Sequence, residues 1–295
     1  MNAVLIVDKP AGLTSHDVVN RVRRILNQRS VGHLGTLDPM ATGVLPLVVG
    51  NLTRLAQFYT ASEKCYEGTI RFGFATDTYD AEGEPTSAPQ EVQLKAEDLK
   101  PLCARFRGAV EQAPPPFSAK KINGVPAYKL ARKKKDVELK SVTVEIKEFE
   151  IRDVQVDRVR FSARVASGTY MRSVAHDLGQ LFGCGAHLES LRRTAVAEFT
   201  LEDAHTLEQL TQAGGHSGAG LSDELFVHPR KLLPQLPSVT TDEVTAARIR
   251  AGRTVNLPEL SRARQVKVFA GQRELVAIAT RVAGSLFHPK IVFAG

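Results

Sequence analysis

Gly32-His33-Leu34-Gly35-Thr36-Leu37-Asp38-Pro39-Met40-Ala41-Thr42-Gly43-Val44-Leu45-Pro46 is the stretch on which the reading of this chain turns. Glycines at 32, 35 and 43 and prolines at 39 and 46 make it too irregular for a helix. It is also too apolar for a disordered loop, so a buried, conformationally demanding segment fits best. It presents one carboxylate, Asp38, which Pro39 pushes away from the helical region toward an extended conformation. A carboxylate buried there with no partner nearby in sequence must find a cation or lose its charge. Spacing alone also allows a helix-cap or turn aspartate.

Upstream, Ala3 to Val7 reads as a strand that Pro10 and Gly12 end. Thr14 or Ser15 can cap a helix carrying Val18, Val19, Val22, Ile25 and Leu26 on one face. Downstream, Cys65 to Phe74 alternates as a half-buried strand does, and Thr76 to Gln90 has the composition of a loop. Leu99, Leu102 and Phe106 mark a short helix. Val142 to Ile151 and Val159 to Val165 are strands, followed by a helix with Val174, Leu178 and Leu181 on one face. Mixed, non-repeating strands and helices predict an α+β body. Gly214 to Gly220 reads as a flexible surface loop that misses the G-x-S-x-G pattern by one residue. After Leu233-Pro234-Gln235-Leu236-Pro237 the chain changes character. Short strands at Val266–Phe269, Leu275–Ala279 and Lys290–Phe293 predict a small β-rich appended domain.

The 295 residues are 43% hydrophobic and 24% charged, which excludes a disordered chain. No run of about 18 apolar residues predicts a membrane span. The N-terminus meets Asp8 without a basic region, so it reads as a strand and not a signal peptide. Three cysteines (Cys65, Cys103, Cys184), with no C-x-x-C pair, suit a cytoplasmic protein and read as core or near-core residues. The eight histidines show no zinc-ligand spacing, so no metal is expected. G-x-x-x-x-G-K-[ST], G-x-G-x-x-G and H-E-x-x-H are all missing, which removes the residues of nucleotide hydrolysis, dinucleotide redox and zinc proteolysis. The net charge of +7 is uneven: residues 118–140 carry +6, residues 238–295 carry +5, and the rest carries −4. Two basic regions on a slightly acidic body suit a polyanion, because each phosphate neutralised releases counterions.

Taken as motifs, these residues are specific. His33 to Pro46 closely resembles the catalytic motif of TruB-type tRNA pseudouridine-55 synthases. The resemblance continues in order through Asp8-Lys9-Pro10-Ala11-Gly12-Leu13-Thr14-Ser15 and Lys64-Cys65-Tyr66-Glu67. It then takes in Pro114-Pro115-Pro116-Phe117-Ser118-Ala119-Lys120-Lys121, Ser167-Gly168-Thr169-Tyr170-Met171-Arg172-Ser173 and His187-Leu188-Glu189-Ser190-Leu191-Arg192-Arg193-Thr194. It spans roughly residues 3–230, and the tail resembles the family's PUA-like RNA-binding module. The fold implied is a pseudouridine synthase body over 1–232, a mixed and mainly antiparallel sheet with flanking helices. Within it, 118–140 forms a basic RNA-binding insertion, and a PUA-like domain follows over 238–295.

The resemblance implies that a uridine in the T arm of tRNA is flipped into a pocket. Its glycosidic bond is cut, and C1′ is rejoined to C5 with no cofactor. Asp38 matches the essential aspartate, which must be ionised whether it attacks C1′ or removes the 2′ proton. Arg172 matches its arginine partner, whose guanidinium favours the charged carboxylate and fixes its rotamer. Tyr66 matches the tyrosine that stacks on the target base and is a candidate base for the C5 proton. Tyr170 is expected to orient the Asp–Arg pair and floor the pocket, and Leu191 to wall it. His33 is expected to contact RNA near the flipped nucleotide, and Lys9 and Pro10 to brace the loop. Lys120, Lys121, Arg132, Lys133 and Lys134 are expected to grip phosphates, with Tyr128 available for packing. Near Lys140, where many relatives carry an arginine, this chain has Ser141. A binding-only RNA protein would keep the same phosphate grip with an idle centre. A dyskerin-like relative would work inside a guide-RNA particle. The intact Asp38, Tyr66 and Arg172 and the compact chain favour a stand-alone, monomeric enzyme with tRNA as its partner and no membrane or obligate protein partner.

Overall fold

In the computed structural model, which describes residues 1–117, 121–122, 125–126, 140–214 and 222–293, the chain opens with β1 (Ala3–Lys9). Val4 and Ile6 enter one apolar cluster, and Leu5 and Val7 enter another. Burial on both faces explains an unbroken apolar run where a half-buried strand would alternate. Thr14 then caps α1 (Ser15–Ile25): its hydroxyl accepts the Asp17 N–H, and the Asp17 carboxylate accepts the Thr14 N–H. Val18, Val19 and Val22 form the buried face of α1.

β2 (Val31–His33) and β3 (Thr42–Val49) bracket Asp38. Sequence reasoning finds no strand at 42–49, because Gly43 and Pro46 read as breakers. The structure nevertheless runs β3 antiparallel to β1, from Ala3 opposite Val49 to Lys9 opposite Gly43. Pro46 is tolerated because its missing N–H would point to the side where β2 has already ended. Its carbonyl on that side still accepts the Leu34 N–H at 2.9 Å. Gly43 is required by space and by backbone. Its φ is +101°, and a Cβ there would lie 2.2 Å from the Arg193 carbonyl oxygen.

The chain continues through α2 (Ala56–Tyr59), β4 (Lys64–Phe72), α3 (Ala96–Ala104) and β5 (Gly108–Gln112). Two-residue strands β6 (Lys121–Ile122) and β7 (Val125–Pro126) pair with each other. β8 (Val142–Val154), β9 (Arg158–Val165), α4 (Met171–Phe182), β10 (Ala186–Val196), β11 (Phe199–Thr200), β12 (Ala204–His205) and α5 (Leu207–Gly214) complete the body. The strands form one ten-stranded mixed sheet in the order β12-β1-β3-β10-β4-β9-β8-β5, with β2 beside β3 and β11 beside β10. Only the β1–β12 and β3–β10 pairs are parallel. β10 is central, yet its Glu189, Ser190, Arg192, Arg193 and Thr194 hide it from any apolar pattern.

Helices α1, α3 and α4 pack on one face of the sheet, through Val18, Leu99, Val174 and Leu178 among others. Leu181, which spacing groups with Val174 and Leu178, is exposed; Met171 and Ala175 complete the buried face instead. Cys103 is buried, Cys65 and Cys184 are half-buried, and all three are free thiols. Gly214 ends α5, and the rest of the glycine-rich 214–220 stretch lies outside the described residues. No helix among the described residues is long and apolar enough to cross a membrane.

The other face, at β1 and β3, is covered by a C-terminal β-rich domain. It comprises β13 (Ser238–Thr241), α6 (Glu243–Arg250), β14 (Val255–Asn256), β15 (Gln265–Ala270), β16 (Glu274–Ala283) and β17 (Leu286–Val292). Its sheet order is β13-β15-β16-β17-β14. Phe269, Leu275, Ile278, Ile291 and Phe293 meet Val4, Ile6, Val44 and Val48 in one cluster. α6 is unanticipated from sequence, where only the strands stand out. A polar joint accompanies this contact. Tyr59 donates to Glu198 Oε1 (2.6 Å), which also accepts the Leu233 N–H (2.9 Å). The buried Lys267 ammonium donates to the Leu232 and Arg230 carbonyls at 2.6 and 2.9 Å.

Gly43→Ala should be among the most damaging single-methyl additions in the chain. The new Cβ meets backbone that cannot swing away, and the left-handed φ adds strain of roughly 1–3 kcal/mol by itself. Thermal unfolding should show a melting temperature lowered by several degrees at least. An unchanged melting temperature would mean that β3 and β10 do not approach as described.

Candidate active site

Three buried side chains fix the backbone around Asp38. Arg193, 1% exposed, donates to the carbonyls of Val44 (2.8 Å), Thr36 (3.2 Å) and Gly35 (3.0 Å). Burial pulls its pKa down, and the neighbouring Tyr66 phenol and Asp38 carboxylate oppose that. Ser15 grips Leu37 twice: its hydroxyl accepts the Leu37 N–H (2.8 Å) and donates to the Leu37 carbonyl (3.2 Å). The Lys9 ammonium, fully buried, donates to the carbonyls of Pro10 (2.8 Å), Leu13 (2.6 Å) and Pro39 (3.1 Å). Burial lowers its pKa to about 8, against the pull of Asp38 and Glu82. Residues on both sides of Asp38 are thus held by groups reaching from β1, α1 and β10.

The Asp38 side chain is held differently. Arg172 Nε lies 2.9 Å from Asp38 Oδ2, but the N–H is misaligned and makes no hydrogen bond, so the contact is an ion pair. The Arg172 side chain is 6% exposed, and that of Asp38 is 35% exposed. Arg172 also donates to the carbonyls of Thr78 (3.2 Å) and Phe117 (3.0 Å), and its Nη1 lies 3.5 Å from Asp80 Oδ2. Asp80 is itself buried, and its Oδ1 accepts from the Thr78 hydroxyl (2.6 Å) and the Glu82 N–H (3.1 Å). Nearby Glu82 has its carboxyl pushed up by burial and by Asp80 and Asp38.

Asp38, Tyr66, Tyr170, Arg172 and Leu191 line one cleft of about 290 Å³, together with Lys64 and Arg193. Tyr66 and Leu191 are 8% exposed and rise from the paired strands β4 and β10, where Tyr66 stands opposite Arg193 and Leu191 opposite Gly68. Tyr170 immediately precedes α4, and its N–H and carbonyl are both bonded by the Gln112 side-chain amide, at 2.8 and 3.1 Å. Lys64 Nζ donates to the Ser62 carbonyl (2.6 Å), and burial plus the Arg193 charge lower its pKa to about 8. His33 is not among the lining residues. Its Nδ1 accepts the Gly35 N–H at 3.4 Å, and burial lowers its pKa. Lys9 and Pro10 lie behind the loop and not at the cleft. Lys120, Tyr128, Arg132, Lys133 and Lys134 lie outside the described residues, as does the Lys121 side chain.

Sequence reasoning passed over Asp80, Arg193, Ser15's second role, Gln112 and Lys64. Asp80 sits in a stretch whose Asp, Glu, Gly and Ser content reads as solvent loop. Arg193 stands beside Arg192, and nothing in the pair says that Arg192 meets Asp8 on the surface, at 2.7 Å, while Arg193 is buried. Among the described residues, no group of three or more His, Cys, Asp or Glu could hold a metal ion.

Residues 23–171 match the model for TruB family pseudouridylate synthase (N terminal domain), and residues 172–226 match that for tRNA pseudouridylate synthase B C-terminal domain. The second match falls within the ten-stranded body and its exit, before the five-stranded sheet begins at Ser238. The tRNA pseudouridine synthase B of Solibacter usitatus (strain Ellin6076) is 52% identical over 295 residues, covering 99% of this chain and 100% of the relative. That of Aquifex aeolicus (strain VF5) is 36% identical over 292 residues, with 98% and 99% covered. Among solved structures, a chain of an H/ACA RNP bound to a substrate RNA containing 2′-deoxyuridine superposes with a TM-score of 0.72 at 24% identity. A chain of a Cbf5-Nop10-Gar1 complex gives 0.71 at 25%. Each superposition covers 99% of this chain and 85% of the other, and shows a shared fold. Matched along its whole length, the chain belongs to the TruB family of pseudouridylate synthases.

Proposed function

We propose that this protein isomerises uridine 55 in the T arm of tRNA to pseudouridine, with Asp38 as the catalytic carboxylate. The observation that carries the reading is an Asp–Arg ion pair whose acidic member is the more exposed, 35% against 6%, at a cleft walled by two tyrosines and a leucine. At about 290 Å³ the cleft is near the lower end of ligand pockets, roughly 300 Å³. It suits one flipped nucleoside, with the rest of the RNA outside. Tyr66 offers a face for base stacking, and Leu191 excludes water from the opposite wall. Arg172 orients the Asp38 carboxylate through the ion pair and takes no part in bond making. The uracil is released from C1′, turns within the site and is rejoined through C5. The C5 proton is lost and N1 takes one up from solvent, every other atom stays on the RNA and no electrons leave, so the reaction needs no cofactor. Residues 1–232 form the catalytic part in this reading, with 118–140 as a phosphate grip and 238–295 as a second RNA-binding surface. The enzyme acts as a cytoplasmic monomer.

With tRNA transcribed from 5-tritiated uridine, purified protein should release one equivalent of tritium per tRNA without added cofactor. Asp38→Asn should bind the same tRNA and release none within the assay. Appreciable release by that variant would remove Asp38 from the catalytic role. Tight binding by the wild type without any release would favour an RNA-binding protein with an idle centre.

Lys64 gives the binding a pH signature. Its pKa is lowered to about 8, so it is charged at pH 7 and loses its proton as pH rises past that value. The Kd for tRNA should therefore weaken severalfold between pH 7 and pH 9. Lys64→Arg should flatten this dependence, because a guanidinium stays charged throughout. Equal slopes for both proteins would place Lys64 away from the phosphates. Replacing Lys133, Lys134 and Lys135 by alanine should reduce the slope of log Kd against log salt by roughly one per lost phosphate contact. An unchanged slope would remove the insertion from the interface.

A further inference from the structure

Resting on that reading, we propose that Gln112 is a positioning residue for the reaction: its side-chain amide sets the start of α4 and so places the Arg172 guanidinium against Asp38. The inference begins with what Arg172 lacks. Its Nε–H makes no aligned hydrogen bond to Asp38, so the pair does not lock itself by geometry. Where the guanidinium sits is therefore decided by the backbone that carries it and by its other partners. That backbone is the first turn of α4, and Tyr170, the residue before the helix, supplies no side-chain cap.

Gln112 fills this role from the end of β5. It is 2% exposed, and its Oε1 accepts the Tyr170 N–H (2.8 Å) while its Nε2 donates to the Tyr170 carbonyl (3.1 Å). A primary amide can accept and donate in this way at once, through two separate atoms. The same carbonyl also accepts the Val174 N–H, which closes the first helical turn (3.2 Å). Two further bonds join the same segments. The Ser173 hydroxyl donates to the Ala113 carbonyl (2.7 Å), and Arg172 donates to the Phe117 carbonyl. Gln112 is thus the side-chain anchor of a strap, 112–117, laid against the residues that carry Arg172. Ser15 does the same for the other half of the pair, bonding both backbone groups of Leu37 next to Asp38. Each partner of the ion pair is aimed by one buried, bivalent side chain acting on a neighbouring peptide.

The test uses full-length protein and single-turnover tritium release from tRNA, with Kd measured separately. Gln112→Met keeps the volume and removes both hydrogen bonds. It should lower the rate at saturating tRNA on the order of 10–100-fold, the scale expected when a catalytic group is misplaced by about 1 Å. The Kd for tRNA should change by less than about twofold. Gln112→Glu keeps an acceptor for the Tyr170 N–H and should fall between wild type and Gln112→Met. In an Arg172→Lys background the Gln112→Met change should cost much less, because both substitutions disturb one interaction. An unaltered rate at saturating tRNA, whatever the melting temperature does, would reduce Gln112 to a structural staple. An equal loss in the Arg172→Lys background would show that it does not act through Arg172. Should Gln112→Met not fold, Gln112→Glu decides by the same criteria, a wild-type rate sinking the proposal. Wild-type turnover is the control: without it the proposed function fails first, and with it only the role of Gln112 is at stake.

Discussion

The body of this protein is organised around a buried cation. Arg193 lies in the middle of the central strand, and taking its charge out of water is tolerated only with several polar partners. It finds them in the carbonyls of Gly35, Thr36 and Val44 and in the adjacent Tyr66 phenol. Those partners belong to the Asp38 loop, to β3 and to β4, so satisfying one side chain assembles three walls of the cleft. The absent side chain at Gly43 serves the same contact by letting β3 lie against the Arg193 backbone. Lys9 repeats the device from β1, with three carbonyls of its own, and the loop is pinned from both ends. Buried charges of this kind add little net stability. What they supply here is a backbone around Asp38 with few alternative conformations.

Around Arg172 the charges are arranged for a different purpose. One buried guanidinium stands between Asp38 and Asp80, and the two carboxylates are not equivalent. Asp80 is enclosed and saturated by Thr78 and the Glu82 N–H, so it is part of the frame. Among the described residues Asp38 has one ionic partner within bridging distance, unaligned, and it faces the cleft. A carboxylate held by charge while still free to reorient suits a group that must change bonding partners during a reaction. In the proposed reaction, its rigid backbone and lightly held side chain divide the work between positioning and chemistry.

Much of this was legible in the sequence, for identifiable reasons. Thr14 and the valines of α1 follow capping and periodicity rules that depend only on neighbours in the chain. The strands β4, β8 and β9 alternate because one face of each meets solvent. β3 and β10 were not legible, because their environment is set by partners distant in sequence. Gly43 and Pro46 are breakers in isolation and fit only beside Arg193 and past the end of β2. The polar run in β10 reads as surface until its arginines are divided between Asp8 and the interior. At the site, Asp38, Tyr66, Tyr170, Arg172 and Leu191 came from motif resemblance, and the structure sets all five around one cleft. His33, for which the same resemblance implies an RNA contact, accepts the Gly35 N–H outside the lining of the cleft. Ser15 and Gln112 are not legible because their roles consist of hydrogen bonds to peptides 22 and 58 residues away, and Asp80 because its ionic partner Arg172 is 92 residues away; none of these leaves a local pattern.

The C-terminal domain extends the same logic to a longer scale. Apolar contact alone would let two β-rich surfaces slide, since hydrophobic burial has no preferred direction. The joint adds direction. Glu198, from the turn after β10, is shared between Tyr59 and the Leu233 peptide, and Lys267 closes on the carbonyls at 230 and 232. Leu233 adopts a φ of +49°, a strained conformation that persists only where surrounding contacts over-determine it. Arg230 adds a guanidinium over the Phe269 ring, 4.5 Å from its centre, with bonds to the carbonyls of Gly271 and Gln272. These contacts run from the strand that carries Leu191 and Arg193 to the sheet of the second domain. The C-terminal domain is therefore held against the sheet that carries the cleft in one orientation, fixed by directional polar contacts as well as by apolar burial.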